Sequence, residues 1–202
     1  MMTTTRTMCT ISIACLLSLA GCGSSGSSTR DPIPTMERTN DRALAIQRFN
    51  EASRAHEKGD HEKALVLYRA SIEADNTFFA AWNNLGQLLM DQKNYADAVS
   101  AFKVASDLQP SDPRPEYNIG LAYQTIGWGE ESFKHFELAL ERDQKYLPAL
   151  RGVVRSAEML GRGDEIVNEY IRSAMLRETD PQWRAYFERQ RFRVEKSMAD
   201  AD

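Results

Sequence analysis

The chain has 202 residues, with 25 Lys and Arg against 29 Asp and Glu and a formal charge of −4. That balance argues against generic nucleic-acid binding, which wants a basic face to displace counterions. The cysteines, Cys9, Cys15 and Cys22, all fall in the first 22 residues, which leaves no structural disulfide and no catalytic thiol for the remainder.

The N-terminus is a separate message. Arg6 supplies a positive n-region and Ile11 to Leu19 an apolar stretch, too short for a spanning helix and of the size of a signal h-region. The tetrapeptide Leu19-Ala20-Gly21-Cys22 resembles a bacterial lipobox. That resemblance implies a lipoprotein signal peptide over residues 1–21, cleavage before Cys22, and a diacylglyceryl group on the Cys22 thiol. An ordinary secretory signal with cleavage elsewhere is the alternative. A Gly rather than an Asp at position 23 implies the outer membrane, facing the periplasm, and a lipid-anchored protein of the cell envelope. Residues 22–40, with Gly23-Ser24-Ser25-Gly26-Ser27-Ser28 and then Pro32 and Pro34, cannot bury enough apolar surface to order themselves. As a flexible coil this tether spans roughly 25 Å.

A regular beat follows. Asn50, Asn84 and Asn118 stand 34 residues apart, and four equal blocks, 45–78, 79–112, 113–146 and 147–180, keep the period. A fixed period of this length predicts stacked helix pairs. The small residue of the first helix recurs as Ala52, Gly86 and Gly120, then Val154; that opening the second helix is Ala64, Ala98 and Ser132, then Ile166. A large aromatic follows as Tyr68, Phe102, Phe136 and Tyr170, and a small residue after it as Ser71, Ala105, Ala139 and Ser173. Gly59, Gly127 and Gly161 mark the reversals, with Lys93-Asn94 substituting in the second block. The block-closing residue is Pro only at Pro110.

The second block, with Trp82, Leu85, Gly86, Leu89, Tyr95, Ala98, Phe102, Ala105 and Pro110, resembles the tetratricopeptide repeat. The resemblance implies an all-α, right-handed solenoid of four helix pairs over residues 41–180. Small residues let the paired backbones approach, the aromatic fills the wedge toward the next pair, and stacking buries what one pair cannot. Val154 and Ile166, large for crossing points, imply a wider last pair or a slipped register there.

Residues 181–202 open with Pro181, suited to a first helical turn. Trp183, Phe187, Val194 and Met198 share one side, and arginines supply the other. A solenoid end needs such a cover, so this segment is the expected C-terminal capping helix. Trp128, between Gly127 and Gly129, is expected to fold back over its turn.

No motif here supports catalysis. His56, His61 and His135 lack metal-site spacing, there is no phosphate loop or nucleophile elbow, and Glu130-Glu131 and Asp164-Glu165 suit helix N-termini. The chain reads as a non-enzyme with no cofactor and no metal. Function then lies in surface. The resemblance implies a concave groove in which Asn50, Asn84 and Asn118 hold an extended peptide by its backbone, the amide both donating and accepting. Gly152 departs from that row. Phe49, Asn83, Gln87, Tyr117, Leu121, Arg114, Arg151 and Arg155 are expected beside it, the aromatics offering contact area and the arginines receiving carboxylates. The competing account is an ordinary wetted helix face. The expected function is a membrane-anchored scaffold binding a partner protein or peptide. Alternatives are a pilotin-like assembly factor for pilus or secretion machinery, or an accessory subunit positioning a cell-envelope enzyme.

Overall fold

The computed structural model describes residues 40–200. The expected signal peptide, Cys22 and the tether up to residue 39 lie outside the described residues. Among the described residues there are nine helices and no strand: α1 (Arg42–Glu57), α2 (His61–Ala74), α3 (Phe79–Asp91), α4 (Tyr95–Leu108), α5 (Arg114–Thr125), α6 (Gly129–Arg142), α7 (Leu147–Met159), α8 (Glu165–Met175) and α9 (Pro181–Ala199). None is long and apolar enough to cross a membrane. Helices α1 to α8 form the four expected pairs, and successive pairs stack into an all-α solenoid.

Local chemistry sets the helix ends. Asp41, Asp60, Asp164 and Asp180 cap α1, α2, α8 and α9 by accepting backbone N–H bonds from the first turn. Within each pair the chain reverses through one residue at positive φ: Gly59 (77°), Lys93 (60°), Gly127 (83°) and Gly161 (67°). In the second pair it is Lys93, not Asn94, that takes the left-handed position. Asn94 precedes α4 at ordinary φ and donates its amide to Asp97 at 2.7 Å. Between pairs, where the block-closing Pro is mostly missing, acidic side chains tie the turns. Asp75 accepts from Thr77 N–H, Asp112 from Arg114, Asp143 from Lys145, and Glu178 from Thr179 and Asp180.

The small-and-aromatic pattern becomes packing. Phe102 lies on Gly86, where an added Cβ would stand 2.5 Å from its ring. Phe136 is lodged edge-first between α5 and α7: a Cβ at Gly120 would meet the ring at 2.7 Å, and one at Gly152 at 2.6 Å. Tyr68, Phe102 and Phe136 are fully buried.

The fourth pair departs from the expected register. Ile166 is exposed and Tyr170 half-buried, while Val167, Ile171 and Ala174 face the core. Helix α8 is capped by Asp164, three positions after Gly161, where the other pairs cap one position after the reversal, and its buried positions fall one residue later, so the aromatic site is filled by Ile171. Val154, in α7, is buried as its register requires. Helix α9 then covers the last pair. Phe187 and Val194 are buried, with Trp183 and Met198 packed beside them.

Two apolar clusters result, one around Tyr68, Leu88, Phe102 and Ile119, the other around Phe136, Leu150, Ile171 and Phe187. A polar network sits where α4, α5 and α6 meet. Glu116 accepts from Ser106 at 2.6 Å, from Arg142 at 2.8 Å, and pairs with His135 at 2.7 Å. Burial alone would raise the Glu116 carboxyl, but the His135 and Ser106 bonds and the Arg142 charge outweigh it and hold it below the ordinary glutamate range.

Candidate functional site

The expected groove residues lie on the first helices of the pairs, yet the structure treats them unequally. Asn50 is exposed on α1, and Phe49 beside it packs between the Tyr68 and Phe78 rings at 5.9 and 5.3 Å. Gln87 is exposed and Asn84 half-buried on α3. Asn83 and Asn118, expected to face a ligand, are buried instead. Asn118 donates its amide to Asn83 at 3.3 Å, and Asn83 donates to Asn84 at 3.4 Å. The row therefore spends much of its bonding on itself, joining α5 to α3, because a buried amide must find partners.

The arginines also differ. Arg114 forks onto Asp112, with Nε at 3.0 Å from both oxygens. Arg151 forks onto Glu178, with Nε and Nη2 bonds of 2.8 Å each, and its guanidinium stands 4.8 Å from the centre of the Trp183 ring. That fork, aided by backbone N–H groups of Asp180 and Thr179, holds the Glu178 carboxyl below its usual range. Both arginines were expected to await a ligand carboxylate; each already has one. Arg155 is different. It is exposed on α7 and has no hydrogen bond or ion pair among the described residues.

Around Arg155 the helices enclose a hollow of about 190 Å³, lined by Tyr117, Leu121, Gln124, Gly152 and Trp183 together with the two α7 arginines and Pro148. Tyr117 is wedged between Phe136 and Tyr146, with centroids 5.8 and 5.6 Å away. Burial raises its hydroxyl pKa, with Arg151 and Arg155 opposing. Gln124 donates to the Gly152 carbonyl at 3.3 Å and to Ser156 at 3.0 Å. Position 152 carries no side chain because the Phe136 ring occupies the place one would take. In the sequence Gly152 stands out only as a missing clamp and Trp183 only as part of a cover. The signal for Trp183 was present: a Trp on the inner side of a helix that follows the solenoid in phase. Trp128, on the turn, does fold back as expected, stacking on Tyr123 at 5.7 Å and 8°, yet stays 53% exposed. No group of three or more His, Cys, Asp or Glu among the described residues could hold a metal ion.

Comparison with known proteins agrees with the fold. Two tetratricopeptide-repeat family models match, over residues 55–117 and 117–146. Residues 55–146 are tetratricopeptide repeats. Solved structures share the fold. MamA superposes with a TM-score of 0.62 at 16% identity, covering 78% of this chain and 90% of that one. The first TPR of Spaghetti (RPAP3), solved bound to an HSP90 peptide, gives 0.57 at 21% identity, covering 60% and 96%. Among curated proteins, superkiller complex protein 3 of Homo sapiens is 26% identical over 95 residues, 47% of this chain. The chain spans only 6% of that relative's length.

Proposed function

We propose that this protein is a lipid-anchored interaction scaffold that holds an extended segment of a partner protein along the concave face of its tetratricopeptide repeats. The observation that carries the reading is the aromatic-walled hollow around Arg155. An exposed, unpaired guanidinium beside tyrosine and tryptophan rings is the composition of protein-contact surfaces. The peptide seated on the first TPR of Spaghetti supports an occupant of this class. The reading assigns no catalytic role to the chain. Binding alone is the task.

Anchoring rests on the sequence. The apolar stretch, the small residues and Cys22 stand together, and acyl chains give roughly 0.8 kcal/mol per buried methylene. The envelope, and the outer membrane facing the periplasm, is the location this implies. An escort for pilus or secretion subunits and an accessory subunit for an envelope enzyme are both forms of this reading that differ in the partner held. A convex cleft of about 480 Å³ between α6 and α8, edged by Glu137, Glu141 and Glu169, is the competing face.

The test is in-cell crosslinking with affinity capture, comparing wild type with Cys22→Ser and fractionating membranes. Wild type should sediment with membranes and bring down a defined partner, whereas Cys22→Ser should become soluble. Equal membrane association of both proteins would contradict the anchor, and absence of any defined partner would contradict the scaffold.

A further inference from the structure

The asparagine row and the hollow compete as the place where a partner is read. Asn118 and Asn83 are committed to one another and to Asn84, which leaves Asn50 as the one exposed member of the row. The hollow is the reverse case. Gly152 lines it with bare backbone, because its side-chain direction points into the Phe136 ring 2.6 Å away and no side chain from this position enters the hollow. Its walls are the Tyr117 and Trp183 rings, the second carried by α9. A volume of about 190 Å³ is below the roughly 300–1,000 Å³ of small-molecule sites, and suits a single side chain.

Charge narrows the occupant. Of the two guanidinium groups lining the hollow, Arg151 is neutralised by Glu178 and serves to hold Trp183. Arg155 is open, and it lines both the hollow, with Tyr117, and the neighbouring cleft, with Tyr186. One turn along α7, Glu158 accepts from Tyr186 at 2.8 Å and from Gln190 at 2.7 Å. That carboxylate repels a second one, so an incoming acid belongs on the Tyr117 side of Arg155. A neighbouring cleft of about 430 Å³, lined by Arg155, Glu158, Gln182, Trp183 and Tyr186, continues the path along α9.

We infer that recognition is centred where α5, α7 and α9 meet, and that the segment held there presents an aromatic or large aliphatic side chain to the Gly152 hollow and an adjacent Asp or Glu to Arg155. The helix that covers the solenoid end is then half of the binding site. This inference rests on the groove reading above and adds its location and the chemistry of the occupant.

The experiment is selection from a random dodecapeptide phage library against the full chain, followed by fluorescence-polarisation affinities of the enriched peptides. Three proteins are compared: wild type, Arg155→Glu, and Asn50→Ala/Asn84→Ala. Enriched peptides should share an acidic residue beside an aromatic or aliphatic one. Arg155→Glu should weaken them at least tenfold, and a peptide whose acid is replaced by Lys should regain affinity for that variant. The asparagine double variant should change binding by less than twofold. Peptides indifferent to Arg155→Glu but weakened by the asparagine variant would overturn the location and leave the groove reading intact. Peptides indifferent to both, or no enrichment at all, would overturn both.

Discussion

Gly152→Ala separates the packing account from ordinary helix propensity, because the two predict opposite signs. In a helix interior the change should stabilise by about 1 kcal/mol, since Ala is the better helix former. Here the new methyl would stand 2.6 Å from two Phe136 ring carbons and 2.7 Å from a third. The ring must retreat by most of an ångström to reach ordinary contact. Its same edge already rests against Gly120, so both sides of the notch resist. Overpacking of this kind costs about 1–3 kcal/mol, and the tight double contact places Gly152→Ala toward the upper end. The net expectation is a loss of about 1–2 kcal/mol, which for a chain of this size lowers Tm by about 3–6 °C. Thermal melts followed by circular dichroism measure it. Adding Phe136→Leu should make the loss at position 152 smaller, a coupling of about 1 kcal/mol. A Gly152→Ala protein that melts higher than wild type, or a strictly additive double variant, would refute the notch.

Other perturbations follow from the same contacts. Lys93→Gly should stabilise by about 0.5 kcal/mol in urea unfolding, because relief of a left-handed non-glycine residue exceeds the entropy cost of Gly. Glu178→Ala should cost about 2–3 kcal/mol, since it strips Arg151 of both carboxylate bonds and unties the α8–α9 turn. Glu116 and Glu178 are both held below the ordinary glutamate value of 4.5. Their stabilisation is therefore complete above that value and lost as pH falls through the lower folded values. Melts between pH 7 and pH 3 should show declining Tm only at the acidic end, and Glu178→Gln should flatten part of that decline.

The repeat itself was legible because its rules are local. A glycine facing a ring within one pair recurs at fixed spacing, so Gly86 with Phe102 and Gly120 with Phe136 could be read from the chain. The slip at α8 was half-visible in the large Ile166, but Arg162 and Gly163 gave no count of turn length by themselves. The site was less legible. Arg151 looks like any exposed arginine until Glu178, 27 positions on, is brought beneath it by the turn into α9. Asn83 and Asn118 lie on helices whose relative rotation, not their spacing, decides that they meet each other. The buried partnership of Glu116 with His135 and Arg142 likewise joins residues whose charges, read singly, resemble solvated helix faces.

The most direct measurement is photo-crosslinking in cells with benzoylphenylalanine placed singly at Leu121, in the hollow, and at Glu141, on the convex cleft. The account predicts a discrete partner adduct from position 121, lost on adding Arg155→Glu, and none from position 141. Adducts from position 141 alone would place the partner on the outer surface and contradict it.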